Sequence, residues 1–440
     1  MELFYTIEDM VISLKDYALL QFESRTIYNW VFFFFPLVVF VEIPRYFIPS
    51  LLLPFLHYLG VKTGNQKAER EFMKRKPSVS IIVAGRNEEK VIGSTIESLL
   101  NLPYENKEII VVDDNSNDKT YAICREYARK GLIRLFRNNS KTGRAGRPVA
   151  SNFGFRVSTG EFIISVDADT SYDFDIIEKM IGPFHDRKVG AVAGNLKVRN
   201  ISKSIWTNFQ AVEYLISIGL WKRWTGLFNV TMQASGAFGA FRREAILDFK
   251  GWDPELAEDA DISLKVRKCG WNIVFAPYAI AMTTVPENLK TLVKQRVRWD
   301  KGTVRTYFHK HGDMLRAFWR YRFGEFYEIF MGYMMDYIFP FVYVIYLTIM
   351  CLYSIQLLVF ALFAAYMLYI VMTFVTLFSV ISFSERRSEE WRLLWYAPVF
   401  PFYKEIFRWV RLYANIMETF RWKYKESYIP ESGYKETTRW

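Results

Sequence analysis

Asp167 and Asp169 stand at the end of IISVDADT (163–170), after four apolar or small residues that read as a buried strand. Side chains alternate along a strand, so carboxylates two apart leave on one face, with only the small Ala168 between them. Two convergent carboxylates make a hard oxygen site for Mg²⁺ or Mn²⁺ and, through the metal, for a diphosphate. A solvated turn at a strand end is the plainer alternative. Acids recur in pairs elsewhere. Asp113 and Asp114 close KEIIVVDDNS (107–116), where an Asx turn before a helix is the alternative, and Glu258 and Asp259 stand in AEDADIS (257–263). The last stretch should open a helix, and acids there also complement its dipole.

The elements that must hold these residues run from 78 to 285. SVSIIVAG (78–85) reads as a strand, and NEEKVIGSTIESLLNL (87–102) as a helix with acidic residues in its first turn. KEIIVVDDNS is a second strand, DKTYAICREYARKG (118–131) a helix closed by Gly131, and LIRLFRN (132–138) a third strand. This alternation predicts an α/β domain with a mostly parallel sheet and ligands at the carboxyl ends of its strands. Asp113, Asp114, Asp167 and Asp169 then share one sheet edge, which bland turns do not explain together.

Composition points to a membrane. Of 440 residues 51% are apolar and 18% aromatic, too greasy for an ordinary soluble protein. The net charge of +11 comes without a Cys/His finger or a basic block, so lipid headgroups and phosphate are better partners than nucleic acid. Cys124, Cys269 and Cys351 have no metal or disulfide spacing, and the four histidines (57, 185, 309, 311) suggest no triad or zinc site. Apolar runs at Trp30–Val41 and Tyr46–Gly60 form one span plus an interfacial helix, or two short spans. Lys62, Lys67, Arg70, Lys74, Arg75 and Lys76 follow, and by the positive-inside rule they place the next domain in the cytosol. Tyr337 to Ser384 carries no charge and is long enough for two spans with a turn near Ser354 and Gln356. Lys404, Arg408 and Arg411 then recur at i, i+4 and i+7 in an aromatic segment. They line a polar channel or mark an interfacial helix.

The succession VSIIVAGRNEE, VVDDNSNDKT, GRPVASNFG, VDADT, SGAFGAFRREAI, AEDADIS and QRVRW resembles the membrane-embedded processive family-2 glycosyltransferases, those that make cellulose, chitin, hyaluronan and poly-N-acetylglucosamine. The likeness covers residues 78–302 in order and is nearest to the bacterial poly-N-acetylglucosamine synthases, through VGAVAGN, AFRR and EDADIS. It implies a cytosolic, GT-A-like nucleotide-sugar domain flanked by transmembrane and interfacial helices. Asp114, with Asp113 beside it, matches the nucleotide-binding aspartate, and Asp167 and Asp169 the metal pair, with Asp169 the direct ligand. Arg147 takes the place of the family's Gly-Lys-Ala lysine, with Lys141 and Arg144 upstream, where a cation neutralises a diphosphate. Asp259 is the implied general base, Glu258 its neighbour, and Ala257 stands where many members carry Thr. In QRVRW (295–299), Gln295 and Trp299 share a helical face, Trp299 offers a flat surface to the acceptor sugar, and Arg298 approaches the leaving diphosphate.

The expected organisation is therefore membrane or interfacial helices over 1–62, a glycosyltransferase domain over 63–285, amphipathic helices over 286–323, a transmembrane region over 324–420 and a tail over 421–440. Lys435, Thr437, Thr438 and Arg439 in that tail resemble a segment that closes over bound nucleotide. The reading is a plasma-membrane enzyme that polymerises a UDP-sugar, N-acetylglucosamine or glucose, with Mg²⁺ or Mn²⁺. It secretes a β-linked polysaccharide across the lipid bilayer, with an accessory secretion subunit as a further partner. A transferase adding one sugar to a lipid carrier and a non-enzymatic channel are the alternatives.

Overall fold

The structure, a computed structural model, describes residues 38–61, 64–138 and 146–421, and the single position Asp16. The expectations for the apolar run before Val38, for Lys62, Lys141 and Arg144, and for the tail lie outside these residues. Eight strands form one curled sheet: β1 (Val79–Gly85), β2 (Lys107–Asp113), β3 (Arg134–Arg137), β4 (Phe162–Asp167), β5 (Ser171–Tyr172), β6 (Val189–Val198), β7 (Phe238–Arg242) and β8 (Asn272–Thr283), in the order β3-β2-β1-β4-β7-β6-β8-β5. β3, β2, β1 and β4 are parallel, β6 and β8 are parallel, and β7 and β5 pair antiparallel with their neighbours, so the sheet is mostly parallel as expected. A parallel sheet is covered on both faces, which is why β1 and β6 read as continuous apolar runs.

Helices α1 (Ile48–Tyr58), α2 (Ile92–Leu100), α3 (Thr120–Arg129), α4 (Arg147–Val157), α5 (Ile205–Tyr214) and α6 (Glu258–Lys268) surround the sheet or lead from it. Gly131 closes α3 at φ +72° as its place in the sequence predicts. The helix expected from Asn87 starts only at Ile92. Asn87 takes a left-handed φ of 58°, and the amides of Asn87 and Glu88 donate to Ser116 Oγ and Thr120 Oγ1 at 3.0 and 2.8 Å. These side chains give the segment's amides partners outside a helix, so Glu88 stays in a loop at the acidic edge.

Among the described residues two helices are long and apolar enough to cross a membrane: α8 (Phe323–Tyr353, 31 residues) and α9 (Ile355–Ser382, 28 residues), against the roughly 20 residues that a bilayer requires. They part at Ser354, whose extended backbone (φ −165°, ψ 119°) breaks the helix and whose hydroxyl caps Leu357 N. The start of α8 and the residues after α9 both rest on the sheet domain. Glu325 pairs with Arg267 of α6, Glu385 with Arg223, and Glu390 with Lys197 of β6. The two helices thus form a hairpin with its turn at Ser354, away from the sheet. α7 (Leu289–Val304) and α10 (Phe400–Arg421) run side by side, joined by Arg296 over the Phe407 ring, by Arg411–Asp300 and by Arg305–Glu418.

The glycines of VGAVAGN are dictated by close neighbours, Gly190 by Trp271 and Gly194 by β7. A Cβ at Gly194 would lie 2.0 Å from two ring carbons of buried Phe238. Gly194→Ala is expected to destabilise the domain by about 1–3 kcal/mol through overpacking. A lower unfolding temperature of the detergent-solubilised protein would show it, and an unchanged one would contradict the close approach.

Candidate active site

The carboxyl ends of β1, β2 and β4, the first residue of α4 and Arg298 of α7 surround a cleft of about 300 Å³ lined by Gly85, Glu88, Asp114, Arg147, Asp167 and Asp169 among others. Asp114 accepts from Asn138 Nδ2 at 3.0 Å and from the Gly146 amide at 2.9 Å, so one carboxylate ties two separate stretches of backbone to the end of β2. Asp113 does something else. Alternation turns its side chain away from the cleft, where it is buried, accepts from Ser116 N and pairs with Arg137 Nε at 3.3 Å. The expected pairing of the two aspartates at one ligand is therefore corrected, since only Asp114 lines the cleft.

The Asp-Ala-Asp turn is held through its backbone. Thr95 of α2 donates to Ala168 O at 2.7 Å, and Arg199, just after β6, donates to Asp169 O at 2.9 Å. Burial, then the neighbouring Asp167, pushes the Asp169 carboxyl up, and burial with Asp169 and Asp167 pushes Glu88 up to about 7. This crowding of acids is what a hard cation would relieve. Among the described residues no three His, Cys, Asp or Glu side chains are grouped closely enough to hold an ion unaided. The donor set fits a divalent ion that takes one or two carboxylates from protein and completes its shell with phosphate oxygens and water.

Arg147 is the hub of the site. Its guanidinium pairs with Asp167 at 2.8 Å and with Glu258 at 2.9 Å, and donates to Gly236 O. It thus joins the metal-type acids on β4 to the acids opening α6, rather than standing free for a diphosphate. Burial works against its charge, but Asp167 and Glu258 outweigh that and hold it protonated. Glu258 is raised by burial, with Arg147 opposing. Ala257 caps α6 without a side-chain hydrogen bond, and the first turn is satisfied instead by Asp259, whose Oδ1 accepts from Ala260 N at 2.9 Å. Its Oδ2 accepts from Gly236 N at 3.3 Å.

On α7, Arg298 reaches the cleft, whereas Gln295 and Trp299 do not line it. One face of the Trp299 ring carries Arg296 at 4.5 Å, and Arg296 pairs with Glu213 at 2.7 Å. A second, polar cavity of about 350 Å³ lies between Val38–Phe47, α8, α9 and α10. Lys404, Arg408 and Arg411 of α10 line it together with Glu42, Glu213 and Asp336. Lys404 pairs with Glu42 at 2.9 Å, while Arg411 spans Asp300 at 3.1 Å and Asp336 at 2.8 Å. Sequence reasoning missed Glu88, Thr95 and Arg199. Only for Glu88 was there a signal, in two acids directly after the first strand.

Gly236 has no room for a side chain. An added Cβ would lie 3.0 Å from an Arg147 nitrogen, 3.2 Å from Asp259 Cβ and 3.4 Å from a Glu258 oxygen. Gly236→Ala is expected to lower the turnover number on the order of 100-fold by displacing the acids, with nucleotide affinity little changed. Steady-state kinetics beside a UDP titration check this, and equal losses in both would contradict it.

Residues 80–248 match the family model described as glycosyl transferase family 2. The chain is 35% identical over 258 residues to the probable glycosyltransferase YdaM of Bacillus subtilis, covering 56% of this chain and 60% of that one. It is 34% identical over 268 residues to the poly-β-1,6-N-acetyl-D-glucosamine synthase of Staphylococcus epidermidis, covering 60% of each. The chain thus spans 60% of the length of these curated relatives. Among solved structures, the mannosyltransferase PcManGT of Pyrobaculum calidifontis, in complex with GDP-Man and Mn²⁺, superposes with a TM-score of 0.53 at 16% identity, over 84% of this chain and 98% of that one. That is a likeness of fold, and it makes the sheet GT-A-like. The stretch that matches the glycosyl transferase family 2 model, residues 80–248, carries most of the sheet and the Asp114, Arg147, Asp167 and Asp169 wall of the cleft.

Proposed function

We propose that this chain is an inverting β-glycosyltransferase that extends a polysaccharide from UDP-N-acetylglucosamine and passes the product into the membrane. The observation that carries the reading is the joining, by one arginine, of two acidic groups with different work. Asp114, Asp167 and Asp169 lie in a cleft beside Arg298, and Arg147 links that cleft to Glu258 and Asp259. The likeness to synthases of poly-N-acetylglucosamine supports the choice of sugar. Residues 63–285 form the catalytic domain in this reading, and the basic residues Lys67, Arg70, Lys74, Arg75 and Lys76 before β1 favour the cytosolic side of the plasma membrane.

Asp114 receives the nucleotide at the end of β2, and Arg298 approaches its diphosphate. Asp167 and Asp169 would hold a divalent cation, Mg²⁺ or Mn²⁺, which would supply positive charge to neutralise the diphosphate. Asp259 takes the proton of the acceptor hydroxyl as that oxygen bonds to the anomeric carbon. The bond from that carbon to the diphosphate oxygen breaks on the opposite face, and its electron pair leaves with UDP, so an α-linked donor gives a β-linked product. Gln295 and Trp299 on α7 bind the acceptor end. The polar cavity behind α7, bounded by the two helices long enough to span a bilayer, receives the growing chain. Its charged walls are costly at membrane depth unless they face water or a polar ligand.

Incubation of the purified enzyme and Mn²⁺ with each UDP-sugar in turn, followed by sizing of the product, tests this. Polymer from UDP-N-acetylglucosamine is expected, whereas a single added sugar on lipid would replace processive synthesis by the lipid-carrier reaction. Asp259→Asn is expected to cost about 10²–10⁴-fold in transfer with UDP binding retained. A variant keeping a tenth of the wild-type rate would remove Asp259 from the role of base. Asp169→Ala should abolish the difference in UDP affinity with and without Mn²⁺, and an undiminished difference would contradict the assignment of the metal.

A further inference from the structure

Lys222 ends a π-helical segment, Leu215–Lys222, that continues α5 and leads from the polar cavity toward the catalytic acids. Ser217 of this segment lines the cavity. One π turn further on, Lys222 Nζ donates to Ser235 Oγ at 2.7 Å. Ser235 precedes Gly236, whose amide holds Asp259 Oδ2. Ala234, on its other side, donates its amide to Ser263 Oγ at 3.0 Å, and Ser263 donates in turn to Asp259 O at 2.6 Å. Residues 234–236 are thus fastened at both ends to the first two turns of α6, and in the middle to Lys222. The buried lysines Lys265 and Lys197 have carboxylate partners, Asp253 at 3.2 Å and Glu390 at 2.7 Å, whereas Lys222 is half-buried. Lys222 instead donates to a hydroxyl, and the carboxylate whose field reaches its ammonium is Asp259, with Glu258 and Arg147 beyond it.

We propose that Lys222 is a positioning residue of the transfer reaction, whose ammonium fixes the Ser235–Gly236 loop and thereby aims the Asp259 carboxylate at an acceptor hydroxyl arriving from the cavity side. The inference rests on the reading of Asp259 as base. Burial pushes the Lys222 amine down to about 8, and Asp259 draws it up. The ammonium is present below that pH and is lost above it, so the support it gives declines as pH rises through 8.

The test is the turnover number against pH for the wild type, Lys222→Arg and Lys222→Met, with UDP titrations and Asp259→Asn alongside. The wild type should lose activity above pH 8. Lys222→Arg should retain the neutral rate and hold it to higher pH, because a guanidinium stays charged there. Lys222→Met should lose on the order of tenfold to 100-fold at neutral pH, bind UDP normally and show no alkaline limb. A Lys222→Met enzyme with wild-type rate and limb would overturn the proposal. So would a Lys222→Arg limb that coincides with the wild type's, even where the methionine variant fails to fold. An active Asp259→Asn removes the base and this inference together, while an inactive one beside an indifferent Lys222→Met removes Lys222 alone.

Discussion

The bridge made by Arg147 between Asp167 and Glu258 is the constraint on which the site depends. Asp167 ends β4, Glu258 opens α6, and 90 residues of chain with three sheet strands and several helices separate them. Nothing local holds the two acids at one distance. A guanidinium offers donors in a planar fork, so it can satisfy two carboxylates and a carbonyl in fixed directions, which a lysine ammonium cannot do with the same geometry. The bridge is half-buried, so water screens it in part, and its chief effect is to fix the geometry of the two acids. The departure from the Gly-Lys-Ala pattern therefore has a structural meaning in this chain, where position 147 carries a bridge as well as a charge.

Around that bridge the acids are sorted by what they face. Asp114 and Asp169 point into the cleft, Asp259 sits on the far side of Arg147 and holds its oxygens on two backbone amides, and Asp113 is spent inside the fold. Backbone atoms of the Asp-Ala-Asp turn are fixed from both sides by Thr95 and Arg199, while the Asp167 carboxylate pairs with Arg147. Arg199 follows β6, and Lys197 within β6 is buried against Glu390 and Ser384 from the stretch after α9. The polar stretch after α9 is thereby a clamp on the sheet, and the apolar hairpin and the acidic edge are parts of one framework.

The helix α10 shows how two readings of one pattern merge. Its cations recur at i, i+4 and i+7, which fits either a channel wall or a helix on the bilayer surface. In the structure it lies along α7, bound by Arg411–Asp300 and Arg305–Glu418, while Lys404 and Arg408 line the cavity bounded by α8 and α9. It packs on α7 and on the apolar hairpin, and also supplies the polar floor of the cavity. Arg411 touches both α7 and α8, so a change at either helix is felt at the other.

The sequence by itself determined β1 to β4, the edge at which their acids gather, the apolar hairpin with its turn at Ser354, and the opening of α6 at Glu258. Each of these follows from a period or a run along the chain, and burial on both faces of a parallel sheet leaves continuous apolar runs. It also carried the family's motifs in order. Tertiary structure alone decided that Asp113 and Asp114 part, that Arg147 spends its donors on Asp167 and Glu258, and that Glu88 remains in a loop beside the aspartates. It alone brought Thr95, Arg199 and Lys222 to the site from α2, from the end of β6 and from the segment after α5. These are contacts between residues distant in sequence, made by ordinary side chains at positions with no local pattern. Hydrogen-bond partners across a folded core are set by how the elements pack, and that information is spread over the whole chain.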